Sequence, residues 1–255
     1  MLSWCAYCQQ FQGEIPPFET LEISHGMCAE CADKDFDVAV HLIEHARALR
    51  GIQRKLERAG ERADRAEITD IVAEAVAAGV RPIDILMGLT APLLYETGKA
   101  WEAATLTVSD EHRFTAFCED TFEIIEARVR REMPDAFARE HEPHADIVVV
   151  NAPGNRHTYG IRVLALWLIS RGRRARIILP QPDVGELVER VAAATPQTVA
   201  ISVALAEQRA GAAALVTRLV ARGLTARLVV GGNAVKLGMC EEIAGAVLGA
   251  DASML

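Results

Sequence analysis

Two groups of residues in this sequence have the types and spacing to do chemistry. The first is a set of four cysteines, Cys5-x2-Cys8 and Cys28-x2-Cys31. Each knuckle offers two thiolates to one ion, and two knuckles complete a tetrahedron, which is the pattern of a zinc site. With all four positions filled by protein, such a site is closed and structural rather than catalytic. A pair of disulfides is the alternative, and a reducing cytosol works against it. His25 stands three residues before Cys28 as a competing ligand that four cysteines make unnecessary. The second group is the stretch Asn151-Ala-Pro-Gly-Asn-Arg-His-Thr-Tyr-Gly160, which carries His157 three residues before a glycine. An imidazole there suits a transition metal, although a lone loop histidine is more often a plain surface side chain.

The elements that must position these residues are legible from periodicity. Before Asn151 runs the all-apolar Ile147-Val-Val-Val150, and after Gly160 comes the helix-like Ile161 to Ser170. A strand, a glycine-marked loop and a helix form the place where α/β folds put ligands, outside the carboxyl ends of the strands. Further strands are expected at Ala175–Leu179, Val199–Val203, Ala226–Val230 and Ala246–Leu248, with helices beginning near Tyr159, Asp183, Glu207 and Asn233. Short apolar strands alternating with helices predict a doubly wound parallel sheet, here of five strands in the flavodoxin-like order 2-1-3-4-5. Two more loops then join His157 at the strand ends: Ile201-Ser202-Val-Ala204 and Gly231-Gly232-Asn233. A Gly-Gly pair at a strand-to-helix turn allows close approach to the backbone, by a ligand in particular.

The first half reads as helices. From Asp35 to Ala59, Leu42, Leu49 and Leu56 recur every seven residues with Ala46 and Ile52 on the same face, and Gly60 to Asp64 reads as a break. That stripe is either a dimer seam or, as favoured here, a helix packing on its own protein. Ile68, Ile71, Val72, Ala75 and Val76 form a second face ended by Gly79, and Arg81-Pro82 restarts a helix in which Pro92 predicts a kink or break. Thr107-Val-Ser-Asp110 is a helix start, with Ser109 or Thr107 as cap, for a helix reaching about Glu132. The expected organisation is a zinc-ribbon-like module at 1–34, a four-helix-type bundle at 35–133, a polar linker at 134–144 and a Rossmann-type α/β domain at 145–255.

The composition of the 255 residues, 51% hydrophobic and 24% charged, is that of an ordinary globular protein. No stretch approaches the ~18 apolar residues of a membrane span, and the N-terminus has no basic region followed by an apolar core, so the expectation is a cytoplasmic protein without a membrane role. Charge is uneven: net -12 over residues 1–144 and +4 over 145–255, which make up the -8 of the chain. An acidic first half argues against direct nucleic-acid binding. The one basic cluster, Arg171, Arg173, Arg174 and Arg176, falls at a predicted helix end, where arginines meet the carbonyl pole of the helix.

Residues 145–255 resemble the cobalamin-binding domain family, whose signature is Asp/Glu-x-His-x-x-Gly, then Ser-x-Leu, then Gly-Gly. Here these stand as Asn155-Arg-His157-Thr-Tyr-Gly160, Ser202-Val-Ala204 and Gly231-Gly232. The resemblance implies that His157 is the lower axial ligand of cobalt and that the nucleotide tail passes Ser202, Gly231 and Gly232. Trp101 followed by Glu111-His112 resembles the helical cap of cobalamin-dependent light-sensing regulators, which implies that Trp101 covers the upper corrin face. Trp4-Cys-Ala-Tyr-Cys8 with Ser24-His-Gly-Met-Cys-Ala-Glu-Cys31 resembles the four-cysteine module of bacterial two-component signalling proteins and implies a signalling setting. Two departures stand out. Asn155 replaces the acid that usually bonds the ligating histidine, and Glu102 follows Trp101 where DNA-binding photoreceptors often carry a histidine, which leaves His112 as the nearest substitute.

The resemblance implies a sensory or regulatory protein that holds adenosyl-, methyl- or hydroxocobalamin beside a structural zinc ion. It would act through a protein partner such as a transcription factor rather than through its own DNA-binding domain. An amide at 155 cannot exchange a proton with His157, which favours a static sensor over a redox cycle. The alternatives are a corrinoid carrier in a methyltransferase system and a cobalamin-free interaction scaffold. Whether the chain forms a homo-oligomer is left open.

Overall fold

Residues 147–150 are apolar throughout because both of their faces are covered, as in any parallel sheet clothed by helices. The computed structural model describes residues 1–34, 40–62, 64–138, 142, 144–179 and 183–255; the side chains of Val40, His41, Leu42, Glu102 and Ser253 lie outside the described ones. The chain divides into two units, Met1–Arg131 and Glu132–Leu255. Among the described residues no helix is long and apolar enough to cross a membrane.

In the second unit the strands are β4 (Ile147–Asn151), β5 (Ala175–Ile177), β6 (Thr198–Ser202), β7 (Arg227–Gly231) and β8 (Val247–Gly249). They pair in parallel in the order β5-β4-β6-β7-β8, the expected flavodoxin-like 2-1-3-4-5. Alternate residues serve opposite faces. Val148, Val150, Val199 and Ile201 pack on α9 (Val184–Ala193) and α10 (Arg209–Ala221), while Ile147, Val149 and Ala200 pack on α8 (Tyr159–Ser170). Asp183 caps α9 by accepting from the amides of Gly185 and Glu186, at 2.8 and 3.1 Å. The register sets Asn151 beside Ser202 and Ser202 beside Gly231, so three strand ends finish in one line. The basic cluster is largely committed to structure: Arg171 stacks over the Trp167 ring at 4.5 Å, and Arg174 pairs with Asp146 at 2.6 Å. The first residues of the expected linker form a helical turn, α7 (Pro134–Phe137), with proline at its permissive first position; Pro143 lies outside the described residues.

The first unit holds the four long helical segments of the expected bundle: α2 (Val40–Arg62), α3 (Arg65–Ala77), the run from α4 (Pro82–Ile85) to α5 (Ala91–Glu102), and α6 (Val108–Glu132). The start expected at Asp35, like the Leu42 side chain, lies outside the described residues. Leu49, Ile52, Leu56 and Ala59 are all buried within the unit, so the leucine stripe is an intramolecular face. The break expected over Gly60 to Asp64 falls at the far end of that stretch, since α2 ends at Arg62 and Asp64 precedes α3. Helix α2 runs through Gly60, where the absent Cβ leaves room for the Phe114 ring of α6, 2.2 Å from where that carbon would lie. The stop comes at Asp64, which caps α3 through bonds from the amides of Ala66 and Glu67. Arg65 of α3 then bridges Asp120 and Glu123 of α6. Thr107 caps α6 reciprocally with Asp110: the Asp110 amide donates to Thr107 Oγ1, and the Thr107 amide donates to Asp110 Oδ2.

Pro92 deforms its helix rather than ending it. A proline lacks the N–H that would bond the carbonyl four residues back, and its ring presses on that carbonyl. The chain answers with a π turn at Leu86–Thr90, in which the Ala91 amide reaches back to the Leu86 carbonyl. The Thr90 hydroxyl donates to the Ile85 carbonyl at 3.1 Å. Gly88 at the centre of this turn is pressed by the N-terminal module, a three-stranded sheet of β1 (Leu2–Cys5), β2 (Phe11–Glu14) and β3 (Ile23–Gly26) in the order β2-β1-β3. A Cβ on Gly88 would fall 2.5 Å from the Trp4 ring and 2.7 Å from the Phe11 ring. Trp4 is fully buried and cannot retreat, so Gly88→Ala is expected to cost about 1–3 kcal/mol by overpacking. A chemical-denaturation curve measures the loss.

Candidate functional site

The loop after β4 is fixed by two buried asparagines. Asn155, 3% exposed, donates from Nδ2 to the Ser202 carbonyl at 3.0 Å and to Asn151 Oδ1 at 3.2 Å. Its Oδ1 accepts from the His157 amide at 2.9 Å, an Asx turn that sets the backbone of the histidine. Asn151, 2% exposed, donates to the His157 carbonyl at 3.3 Å. Both backbone polar groups of His157 are thus held from below, while its side chain is exposed at the carboxyl edge of the sheet. Asn155, standing where the resemblance has an acid, therefore bonds the backbone of His157. Asn151 was not anticipated. Its signal is a polar residue closing an otherwise apolar strand.

Ser202, Gly231 and Gly232 finish the neighbouring strands, β6 and β7, and Gly160 lies in the first turn of α8. The two glycines have a reason inside the protein. A Cβ on Gly231 would meet the Gly249 carbonyl oxygen at 2.7 Å, and one on Gly232 would meet the Val203 carbonyl oxygen at 2.5 Å. Gly232 also has φ +107°, a conformation that side chains resist. In the direction of a side chain, each of these α-carbons is met by neighbouring backbone. Gly211 repeats the device, bringing the start of α10 against the Pro153 carbonyl. Gln208, 6% exposed and also unanticipated, shapes the loop after β6 by accepting from the amides of Ala204 and Leu205.

The other expected residues lie in the first unit. Trp101 closes α5 and is 48% exposed, unusual for an indole. Glu111 and His112 sit in the first turn of α6, with Glu111 Oε1 accepting from the Thr115 hydroxyl at 2.9 Å and the His112 imidazole exposed 3.5 Å from the other oxygen. The side chain of Glu102 is outside the described ones. The N-terminal module brings Cys5, Cys8, Cys28 and Cys31 together, all four sulfurs within 4.8 Å of one another. Cys8 and Cys28 stand 3.7 Å apart. This is far from a disulfide length of about 2.05 Å and close to the edge, about 3.8 Å, of a tetrahedron with 2.3 Å metal–sulfur bonds. Burial opposes the Cys5 thiolate, but amide hydrogen bonds from Cys8, Cys28 and Tyr7 outweigh it and bring the thiol down to about 6. His25 is outside this cluster; burial, then Arg50, lower its pKa.

The partners of Asn155 explain why an amide stands there. Its Nδ2 faces two acceptors, Asn151 Oδ1 and the Ser202 carbonyl. A carboxylate in the same place would turn two attractive contacts into repulsive ones, raising its folded-state pKa. Asn155→Asp is expected to lose about 1–3 kcal/mol near neutral pH. Because the folded-state value is raised, the penalty appears as pH rises through the ordinary carboxyl range and shrinks below about pH 4. Thermal melting across pH, with the parent as reference, measures this.

Comparisons with known proteins bear on the fold and on the helical half of the chain. Residues 52–126, which include α3, α5 and the start of α6, match the family model described as a B12 binding domain. The HTH-type transcriptional repressor CarH of Myxococcus xanthus is 28% identical over 186 residues, covering 71% of this chain and 58% of the repressor. The chain thus spans just over half the length of that curated relative. The monomethylamine corrinoid protein of Methanosarcina barkeri superposes with a TM-score of 0.64 at 21% identity, covering 81% of this chain and 96% of that one; at that identity the likeness speaks for the fold alone. Residues 52–126 are thus similar to the B12 binding domain model, and the chain shares the fold of a corrinoid protein while carrying a four-cysteine cluster at its N-terminus.

Proposed function

We propose that this chain is a cobalamin-binding regulatory protein that senses light through a photolabile alkylcobalamin and acts on a protein partner, a transcription factor in particular. The observation that carries the reading is His157: an exposed imidazole whose backbone is locked by Asn151 and Asn155 at the carboxyl edge of a parallel sheet. The family match of residues 52–126 and the repressor relative support it.

The donor set suits the group. Imidazole is a good ligand for cobalt, and His157 presents one without first having to order its loop. When bound, cobalamin supplies a cobalt–carbon bond weak enough for light to break. The chain's own residues do the rest. His157 would hold the cobalt, with Ser202, Gly160, Gly231 and Gly232 beside the nucleotide tail. Asn155 has both ends of its amide committed to hydrogen bonds and does not titrate, so it would hold the His157 backbone in one place. Trp101, Glu111 and His112 are the cofactor-contact candidates of the helical unit, where a change of cofactor state would bias a two-state element. Zinc is assigned to Cys5, Cys8, Cys28 and Cys31, whose spacing fits a closed tetrahedral site.

The absorption spectrum of the protein loaded with adenosylcobalamin, in the dark and after green light, tests the proposal. The expected result is a dark spectrum with the nitrogen ligand of His157, lost in His157→Ala, and a change of spectrum and oligomeric state on illumination. An unchanged spectrum and assembly after light would overturn the sensing role. Catalytic methyl transfer from bound methylcobalamin to a thiol would instead make the chain a corrinoid carrier. No uptake of hydroxocobalamin would leave the fold as a scaffold.

A further inference from the structure

The four-cysteine module is fastened to the bundle through residues that flank its ligands. Trp4 precedes Cys5, is fully buried, and packs its ring 5.3 Å from that of Phe11. Both rings fill the hollow over Gly88 in the π turn. Gln9 follows Cys8 with φ +55° and is 3% exposed. Its Nε2 donates to the Ala78 carbonyl at the end of α3, at 2.6 Å. The amide of Phe11 donates to Asp84 Oδ2 at 3.1 Å, and Asp84, 1% exposed, is gripped through both oxygens by Arg81. Inside the knuckle, the Ala6 carbonyl meets His45 Nδ1 of α2 at 3.0 Å.

All of these ties but the His45 contact converge on one corner of the bundle, residues 78–90, where α3 ends and the run of α4, π turn and α5 begins. That run ends in Trp101. The corner is also where the helix is most distorted, because Pro92 forces the π turn. The module that presses on it is weak by itself: three strands of four residues each, with little apolar area to bury. Small modules of this kind draw their folding free energy from the bound metal, which joins the knuckles.

We infer that the four-cysteine cluster is a second input to this protein: its metal occupancy sets the packing of residues 78–90 and so the order of the helical run that carries Trp101. The inference rests on the metal reading of the cluster and is independent of the cobalamin reading. A chain built this way responds to zinc supply. Trp4, Gln9 and Phe11 are positioning residues in this scheme.

Hydrogen exchange read by mass spectrometry on the full chain, without cobalamin, tests it. Metal content is measured on the same samples before and after chelation under reducing conditions. On metal removal, residues 78–90 are expected to exchange about tenfold faster, while strands β4 to β7 are unaffected and added Zn²⁺ restores the original rates. Phe11→Ala leaves all four cysteines intact; it is expected to keep its metal and still lose protection at 78–90. A chain that binds about one equivalent of metal but exchanges 78–90 at the same rate with and without it would refute the coupling. A reduced chain that takes up no metal would refute the metal reading itself.

Discussion

Asn155 joins three pieces of backbone through one amide: it donates to the Ser202 carbonyl, accepts from the His157 amide, and meets Asn151 Oδ1. Two of its partners, Asn151 and Ser202, are set by the parallel register, which brings Asn151, Ser202 and Gly231 into line at the strand ends. A buried amide left without such partners costs a few kcal/mol by order of magnitude, so the loop has little freedom to settle elsewhere. The exposed position of His157 follows from that constraint. A short loop with both backbone groups of the histidine tied down leaves the imidazole one direction in which to project.

The same edge is made close-packed by missing side chains. Gly231 against the Gly249 carbonyl, Gly232 against the Val203 carbonyl and Gly211 against the Pro153 carbonyl each allow backbone to touch backbone. These glycines are structural requirements of the edge whether or not a ligand is present. A glycine motif read from sequence therefore has two causes, ligand approach and chain approach, that only the positions of neighbouring carbonyls separate. In the first unit Gly60 and Gly88 play the same part, one against Phe114 and the other against Trp4 and Phe11.

The first unit shows how a local defect is absorbed. Pro92 removes a helical hydrogen bond, and the chain widens into a π turn over Leu86–Thr90 instead of breaking. That widened turn is the surface on which the N-terminal module rests. Cysteine spacing, proline position and one small residue, Gly88, combine to make the module part of the bundle's packing rather than an independent appendage.

Much of this protein was determined by the sequence alone. Short apolar runs alternating with helical stretches settle the five strands and their order, since a right-handed crossover leaves few topologies. The spacing of Cys5, Cys8, Cys28 and Cys31 predicts one cluster, because two adjacent knuckles can converge on one point. The motif around His157 marks the edge of the sheet that carries the candidate site. Tertiary structure decided what depends on neighbours distant in sequence. The helix continues through Gly60 because Phe114, far along the chain, fills the gap. The leucine stripe of α2 faces inward because other helices cover it. Asn155 bonds backbone rather than imidazole because Ser202 and Asn151 are brought beside it only when the sheet forms. Periodicity reports which side of an element is apolar; which atom meets a given side chain is fixed only once the chain has closed on itself.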